Sequence, residues 1–147
     1  MAGSIMVTFK EALLTQLQAA AGFSGVQVVY ADPGEAMRRE CVFLGDIDGG
    51  TQVPETFSTG TRRRVEDFTL EVLVAVQGKP TASSAETRAV ALANVVDDVV
   101  ANDPQLGGLA SLTFCEVEGM SMTTNEAGID GAHCVVTIRI HARARLA

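Results

Sequence analysis

The sequence predicts an α+β fold: a mainly antiparallel sheet with two helices packed on one face, in the order α-β-β-β-α-β-β, with a long loop or hairpin after the second strand. Three observations predict it. Two segments carry apolar residues at helical spacing, each opened by a Ser/Thr-x-x-Glu signature. Two others alternate apolar and polar residues strictly enough to be half-buried strands. Most strand-like runs follow one another through hairpin-length connections, which suit antiparallel pairing rather than the long crossovers of a parallel sheet. The 147 residues are expected to form a single domain over 1–147, large enough for a core without disulfides or structural metals.

Thr8 and Glu11 have the spacing of a capping box, and Leu13, Leu14, Leu17, Ala20 and Ala21 form an apolar stripe that Gly22 would end. Val26 to Tyr30 is short and β-branched, closed by Asp-Pro-Gly, and reads as the first strand. "ECVFLGDI" reads as the second. The run "DGGTQVPETFSTGTRRR" has no sustained period and is expected to be an extended loop or a long hairpin. From Val65 to Gln77 the alternation is clearest: Phe68, Leu70, Val72, Val74 and Val76 share one face, Asp67, Thr69, Glu71 and Gln77 the other. Ser83 and Glu86 suggest a second capping box ahead of Ala85, Ala89, Leu92, Val95, Val96 and Val99, a helix that Pro104 would stop near Asn102. Two strands close the chain, Leu112 to Met122 and Ala132 to Arg145. The last splits by face, with Cys134, Val136, Ile138, Ile140 and Ala142 opposite His133, Thr137, Arg139, His141, Arg143 and Arg145.

Hydrophobic residues make up 47% and charged residues 20%, which excludes a largely disordered chain, and with aromatics at 5% the core must be aliphatic. A formal charge of −7 argues against a general nucleic-acid binder, which needs a basic face for phosphates. No apolar run approaches the roughly 20 residues that span a bilayer, and no signal-peptide pattern opens the chain, so a cytosolic soluble protein with no membrane partner is expected. Cys41, Cys115 and Cys134 lack C-x-x-C spacing and are odd in number. Buried reduced thiols are expected, not a disulfide framework or a zinc site.

"FLGDIDGG" places Asp46 and Asp48 two residues apart, on one side of an extended segment. That geometry allows a cation, but the segment lacks the third acidic position and flanking helices of a calcium loop. The reading preferred is a strand end with solvated carboxylates and glycines that permit a sharp exit. A nucleophile–base pair has little to build on: the two histidines both lie on the last strand and no G-x-S-x-G elbow is present. The glycine pairs match neither dinucleotide nor P-loop signatures, so no cofactor is expected. Basic residues cluster in two places, Arg62, Arg63 and Arg64 after the long loop and Arg139, Arg143 and Arg145 on one face of the last strand. Such a face is a solvated surface that discourages edge aggregation, an intersubunit surface meeting a neighbour's carboxylates or, as a third reading, a surface in contact with passing DNA.

In layout and in several stretches the chain resembles the tail terminator, or tail completion, proteins of long-tailed bacteriophages. Those stretches are "VQVVYADPG", "VFLGDIDG", "EDFTLEVLVAV", "SSAETRAVALANVVDDVV" running into "NDPQLGG", and "VVTIRIHARA". The resemblance covers nearly the whole chain and rests on order and spacing. It implies a non-enzymatic protein of the virion, at the tail end of the neck after assembly in the host cytoplasm. Such a protein forms a homo-hexameric ring, ends polymerisation of the tail tube protein and offers a surface to head-completion or connector proteins. Genomic DNA would pass through the lumen without sequence-specific binding. A ring needs unlike patches on each subunit, and the candidates are Arg62, Arg63, Arg64, Arg139, Arg143 and Arg145 against carboxylates such as Asp46, Asp48, Glu66 and Asp67. Competing readings are another head–tail connector or neck protein, a small metal-dependent enzyme using Asp46 and Asp48, and a module binding a small ligand between helix and sheet.

Overall fold

A computed structural model describes residues 3–54, 64–126 and 131–146. The elements are helix α1 (Met6–Gln18), strands β1 (Gln27–Val29), β2 (Glu40–Pro54) and β3 (Arg64–Lys79), helix α2 (Ala82–Asn102), and strands β4 (Leu112–Asn125) and β5 (Ala132–Leu146). They follow the expected order. The sheet runs β1-β2-β3-β5-β4. Every pairing is antiparallel except β1 with β2, which is parallel over three residues.

Both helices cover one face. Phe68, Leu70, Val72, Val74 and Val76 of β3 and Cys134, Val136, Ile138, Ile140 and Ala142 of β5 are buried under Phe9, Leu13 and Leu17 of α1 and Ala85, Ala89, Leu92, Ala93, Val96 and Val100 of α2. This is the split by face that the alternation predicts. Phe9 meets Phe68 edge-to-face at 5.2 Å between ring centres, seating α1 on the sheet. Among the described residues no helix covers the opposite face, which carries a small apolar cluster of Cys41, Phe43 and Ala75 with Val29, Met37, Leu73 and Val135 packed against it.

The helix starts correct the sequence reading. Thr8 and Glu11 form no capping box: the N-cap of α1 is Ile5, three residues earlier than Thr8, Ser4 Oγ accepts from Met6 N at 3.1 Å, and Thr8 Oγ1 donates to the Ile5 carbonyl. The helix ends at Gln18, before the expected Gly22. Gly22 instead permits a close approach, since a Cβ there would lie 2.7 Å from Val95 Cγ2 of α2. At α2 the box is formed by Thr81 and Ser84, not Ser83 and Glu86: Thr81 Oγ1 accepts from Ser84 N at 3.1 Å and Thr81 N donates to Ser84 Oγ at 3.2 Å. Serine can close the box because its hydroxyl reaches back as a Glu carboxylate would.

The segment after "ECVFLGDI" is a hairpin arm through Pro54. β2 continues to Pro54, which pairs with Arg64 of β3. Two bulges let it do so. Three residues of β2 span two of β3 between Leu44 and Ile47, and again between Asp48 and Thr51, where Gly49 takes a φ of +68°. These extra residues break the period of two that would have betrayed the strand in the sequence.

Candidate assembly interface

The open face of the sheet is a ladder of charges. β5 lies between β3 and β4, so its outward Arg139, His141 and Arg143 are flanked by the acids of both neighbours. Asp67 of β3 stands opposite Arg143 and Glu71 opposite Arg139, while Glu116 of β4 stands opposite His141. His141 Nε2 is 2.5 Å from Asp67 Oδ1, its Nδ1 is 3.8 Å from Glu116 Oε1, and Arg143 Nε is 3.9 Å from Asp67 Oδ2. Phe114 packs edge-to-face on the His141 ring. Arg139 lies over Gly119, where a Cβ would come within 2.8 Å of its Nη2. Several predicted interface charges therefore meet each other within one chain, in pairs that are partly exposed and worth little individually.

Other candidates separate. Arg62 and Arg63 lie outside the described residues. Arg64 sits on the helix side, opposite in face to Arg139, Arg143 and Arg145, and donates to Gln52 Oε1 at 3.1 Å. Glu66 is turned inward and 1% exposed, a correction to its place among surface carboxylates. Its Oε1 accepts from Ile5 N at 3.0 Å and its Oε2 from Gln52 Nε2 at 3.1 Å. A carboxylate at a helix N-terminus satisfies a backbone donor and faces the positive end of the dipole, so Glu66 supplies what the missing capping box does not. Period-two alternation makes Glu66 and Asp67 face opposite ways, which is the signal that separates them in sequence.

Asp46 and Asp48 are exposed on the free edge of β2, which β1 covers only from Cys41 to Phe43. Asp48 Oδ1 accepts from Gly49 N at 2.7 Å, and Lys10 Nζ of α1 donates to the Gly45 carbonyl at 3.2 Å. Among the described residues no group of three His, Cys, Asp or Glu side chains comes together as a metal would require. The three cysteines are buried free thiols. Burial pushes Cys41 up to about 11, with Asp32 adding to it, and Cys115 to about 12, with Asp103 adding. Cys134 is also raised by burial, against a lowering by its contact with Thr124. Thiols so shifted are poor nucleophiles near neutrality. Among the described residues no helix is long and apolar enough to cross a membrane.

Two features escaped the sequence reading. The first is a further group of charges at the far end of the sheet, where Arg38, Arg39 and Lys79 line one cleft together with Glu40. Beside it Arg88 of α2 grips Glu40 of β2 with two bonds of 2.6 and 3.1 Å, and Lys79 Nζ adds a contact at 3.8 Å. The Arg88 hydrogen bond holds the Glu40 carboxyl below its usual value despite the opposing effect of burial. The second is the edge formed by β4. Among the described residues no strand covers its outer side, and Met120 and Met122 are 41% and 48% exposed. Its signal in the sequence is the uncharged run "GMSMTTN".

No family model matches the sequence, and no curated protein matches it. Among solved structures, a chain of the virion of a native gene transfer agent particle superposes with a TM-score of 0.60 at 19% identity, over 97% of this chain and 99% of that one. The two chains share a fold. The bacteriophage SPP1 gp17 protein aligns over 97% of this chain and 95% of its own, at 16% identity and a TM-score of 0.45.

Proposed function

We propose that this protein is a structural, non-enzymatic component of a phage-like particle, a tail terminator that closes into a ring, most simply a hexamer, on the end of the tail tube. The observation that carries the reading is end-to-end sharing of the fold with a chain of a gene transfer agent virion. The surface is consistent with it. Its charges are arranged in strips on an open sheet face, and its thiols are buried. In this role the ring stops addition of tube subunits and presents its other side to a head-completion or connector protein, while DNA passes through the lumen. An acidic total charge of −7 keeps a polyanion from adhering to the channel.

Native mass spectrometry over a concentration range, with negative-stain images, tests the ring. A single closed oligomer with a central hole is expected, alone or on purified tail tubes. A protein that stays monomeric in both settings sinks the reading. Co-sedimentation separates the terminator from another neck component: binding to tubes and not to empty heads is expected, and the reverse distribution would move the protein to the head side of the joint.

A further inference from the structure

Of the five large apolar residues exposed among the described residues, three fall on one seam between α2 and β4: Val90, Met120 and Met122. Thr124 Oγ1 donates to Glu86 Oε2 at 2.7 Å, and Asp97 and Ala101 line a cleft with Phe114, Glu116 and Val117. α2 therefore runs antiparallel to β4, and Val90, one turn after Glu86, lies alongside the stretch between Val117 and Thr124. Met120 and Met122 stand in register with Ile138 and Val136, which turns them to the same helix-covered side.

The charges of this seam have one sign. From Ala82 to Glu126 there are seven carboxylates and a single cation, Arg88, which Glu40 engages on the other side of α2. Among the described residues Glu86 accepts from a neutral hydroxyl, Asp97 forms no ion pair, and Glu116 has only His141 at 3.8 Å. An apolar strip bordered by carboxylates suits an apolar segment that carries cations. The arginines of β5 already stand among Asp67, Glu71 and Glu116, and Arg38 and Arg39 share their cleft with Glu40. Residues 55–63, outside the described residues, read "ETFSTGTRR": Phe57, Arg62 and Arg63 with the one carboxylate of Glu55.

We propose that segment 55–63 of one copy lies on the α2–β4 seam of the next, with Phe57 against Val90, Met120 and Met122 and with Arg62 and Arg63 facing Asp97 and Glu116. The inference rests on the ring reading above and names its subunit contact. The spacing suits it: Val90 and Asp97 are about 10 Å apart along the helix, and the five residues from Phe57 to Arg62 can span up to about 17 Å.

The segment cannot serve the seam of its own chain. It leaves the sheet at Pro54 and returns at Arg64, which pairs with Leu146 of β5, whereas Met120 pairs with Ile138. Those eight residues of β5 cover about 26 Å, and nine residues that must return to their starting point reach outward by at most about 17 Å. Segment and seam are unlike patches at different places on the molecule. Their contact is heterologous and repeats from copy to copy until the rotation closes.

Cysteine pairing between copies tests the contact. Protein with Phe57→Cys alone would be mixed with protein carrying Met120→Cys alone, oxidised with copper phenanthroline and run without reductant; the three native thiols are buried. Disulfide-linked dimers joining the two variants are expected in the mixture. Native mass spectrometry would then compare wild type with Arg62→Glu/Arg63→Glu, with Asp97→Arg/Glu116→Arg and with all four changes together. Each pair alone should weaken assembly tenfold or more, and the combination should restore it. If rings form without the cross-link in the mixture and tolerate both pairs of reversals, the contact is wrong while the ring stands. A disulfide that closes within single, dilute chains carrying both cysteines would put the segment on its own seam and overturn the contact as well. Wild type that stays monomeric, even with purified tail tubes, overturns both.

Discussion

Along its free edge β2 carries Asp46 and Asp48, two one-residue bulges and the Lys10 ammonium on the Gly45 carbonyl. Along β4 from Gly119 to Asn125 there is no bulge and no charge, and two methionines are exposed. Among the described residues neither edge has a neighbouring strand on its outer side, and proteins guard such edges with charge and irregularity. β4 itself shows the contrast. Its first half is bulged at Leu112/Phe114 and at Val117/Gly119 and carries Glu116 and Glu118; beyond Gly119 the guards stop. Under the ring reading, an edge guarded by charge over part of its length and uncharged over the rest is where a partner would dock. The difference also settles "FLGDIDGG": its carboxylates and glycines belong to a bulged edge strand held off from other strands.

The comparison can be broken most severely at the guarded side. Phe68→Ala removes the ring that seats α1 beside β2 and should cost about 3–5 kcal/mol, as large-to-small core changes do; denaturant unfolding with a loss under about 1 kcal/mol would refute that seating. Glu66→Ala leaves Ile5 N and Gln52 without their acceptor in a buried setting and should cost about 1.5–3 kcal/mol, with the first turn of α1 exchanging its amides faster. Unchanged exchange there would mean that Ser4 alone caps the helix.

A smaller effect concerns the basic end of the sheet. Because Arg88 depresses the Glu40 carboxyl in the folded state, their pairing stabilises fully above the unfolded carboxylate value of about 4.3 and is lost as pH falls through the lower folded value. Arg88→Met should therefore cost about 1 kcal/mol or less at pH 7, and the gap from wild type should shrink below about pH 4. A gap that is constant with pH would assign the loss to packing alone. Smallest for stability, and sharpest for the comparison, is an exchange of guards. Thr123→Lys should change stability by no more than about 0.5 kcal/mol yet weaken assembly, whereas Asp46→Val with Asp48→Val should provoke concentration-dependent aggregation seen by light scattering. Aggregation from the first change and none from the second would reverse the roles of the two edges.

The helix-covered side of the fold was legible because burial there follows strict periods: Phe68 to Val76 and Cys134 to Ala142 keep every second residue inside. What escaped was irregular or remote. The arm of β2 beyond Asp48 hides behind two bulges that each reset the alternation. The cap of α1 comes from Glu66, 61 residues away in sequence, so no local pattern could disclose it. Arg38, Arg39 and Lys79 converge only because β2 and β3 pair there, in contrast to the arginines of β5, which share a face by simple alternation. The parallel β1–β2 pair depends on a return path that hairpin spacing does not encode.

Amide hydrogen exchange read by mass spectrometry, on dilute protein, on concentrated protein and on protein mixed with tail tubes, tests most directly whether the bare edge is where the molecule assembles. The account predicts that Gly119 to Asn125 gains protection as oligomers form while Gly45 to Pro54 does not change. Protection gained along Gly45 to Pro54 with none at Gly119 to Asn125 would contradict it.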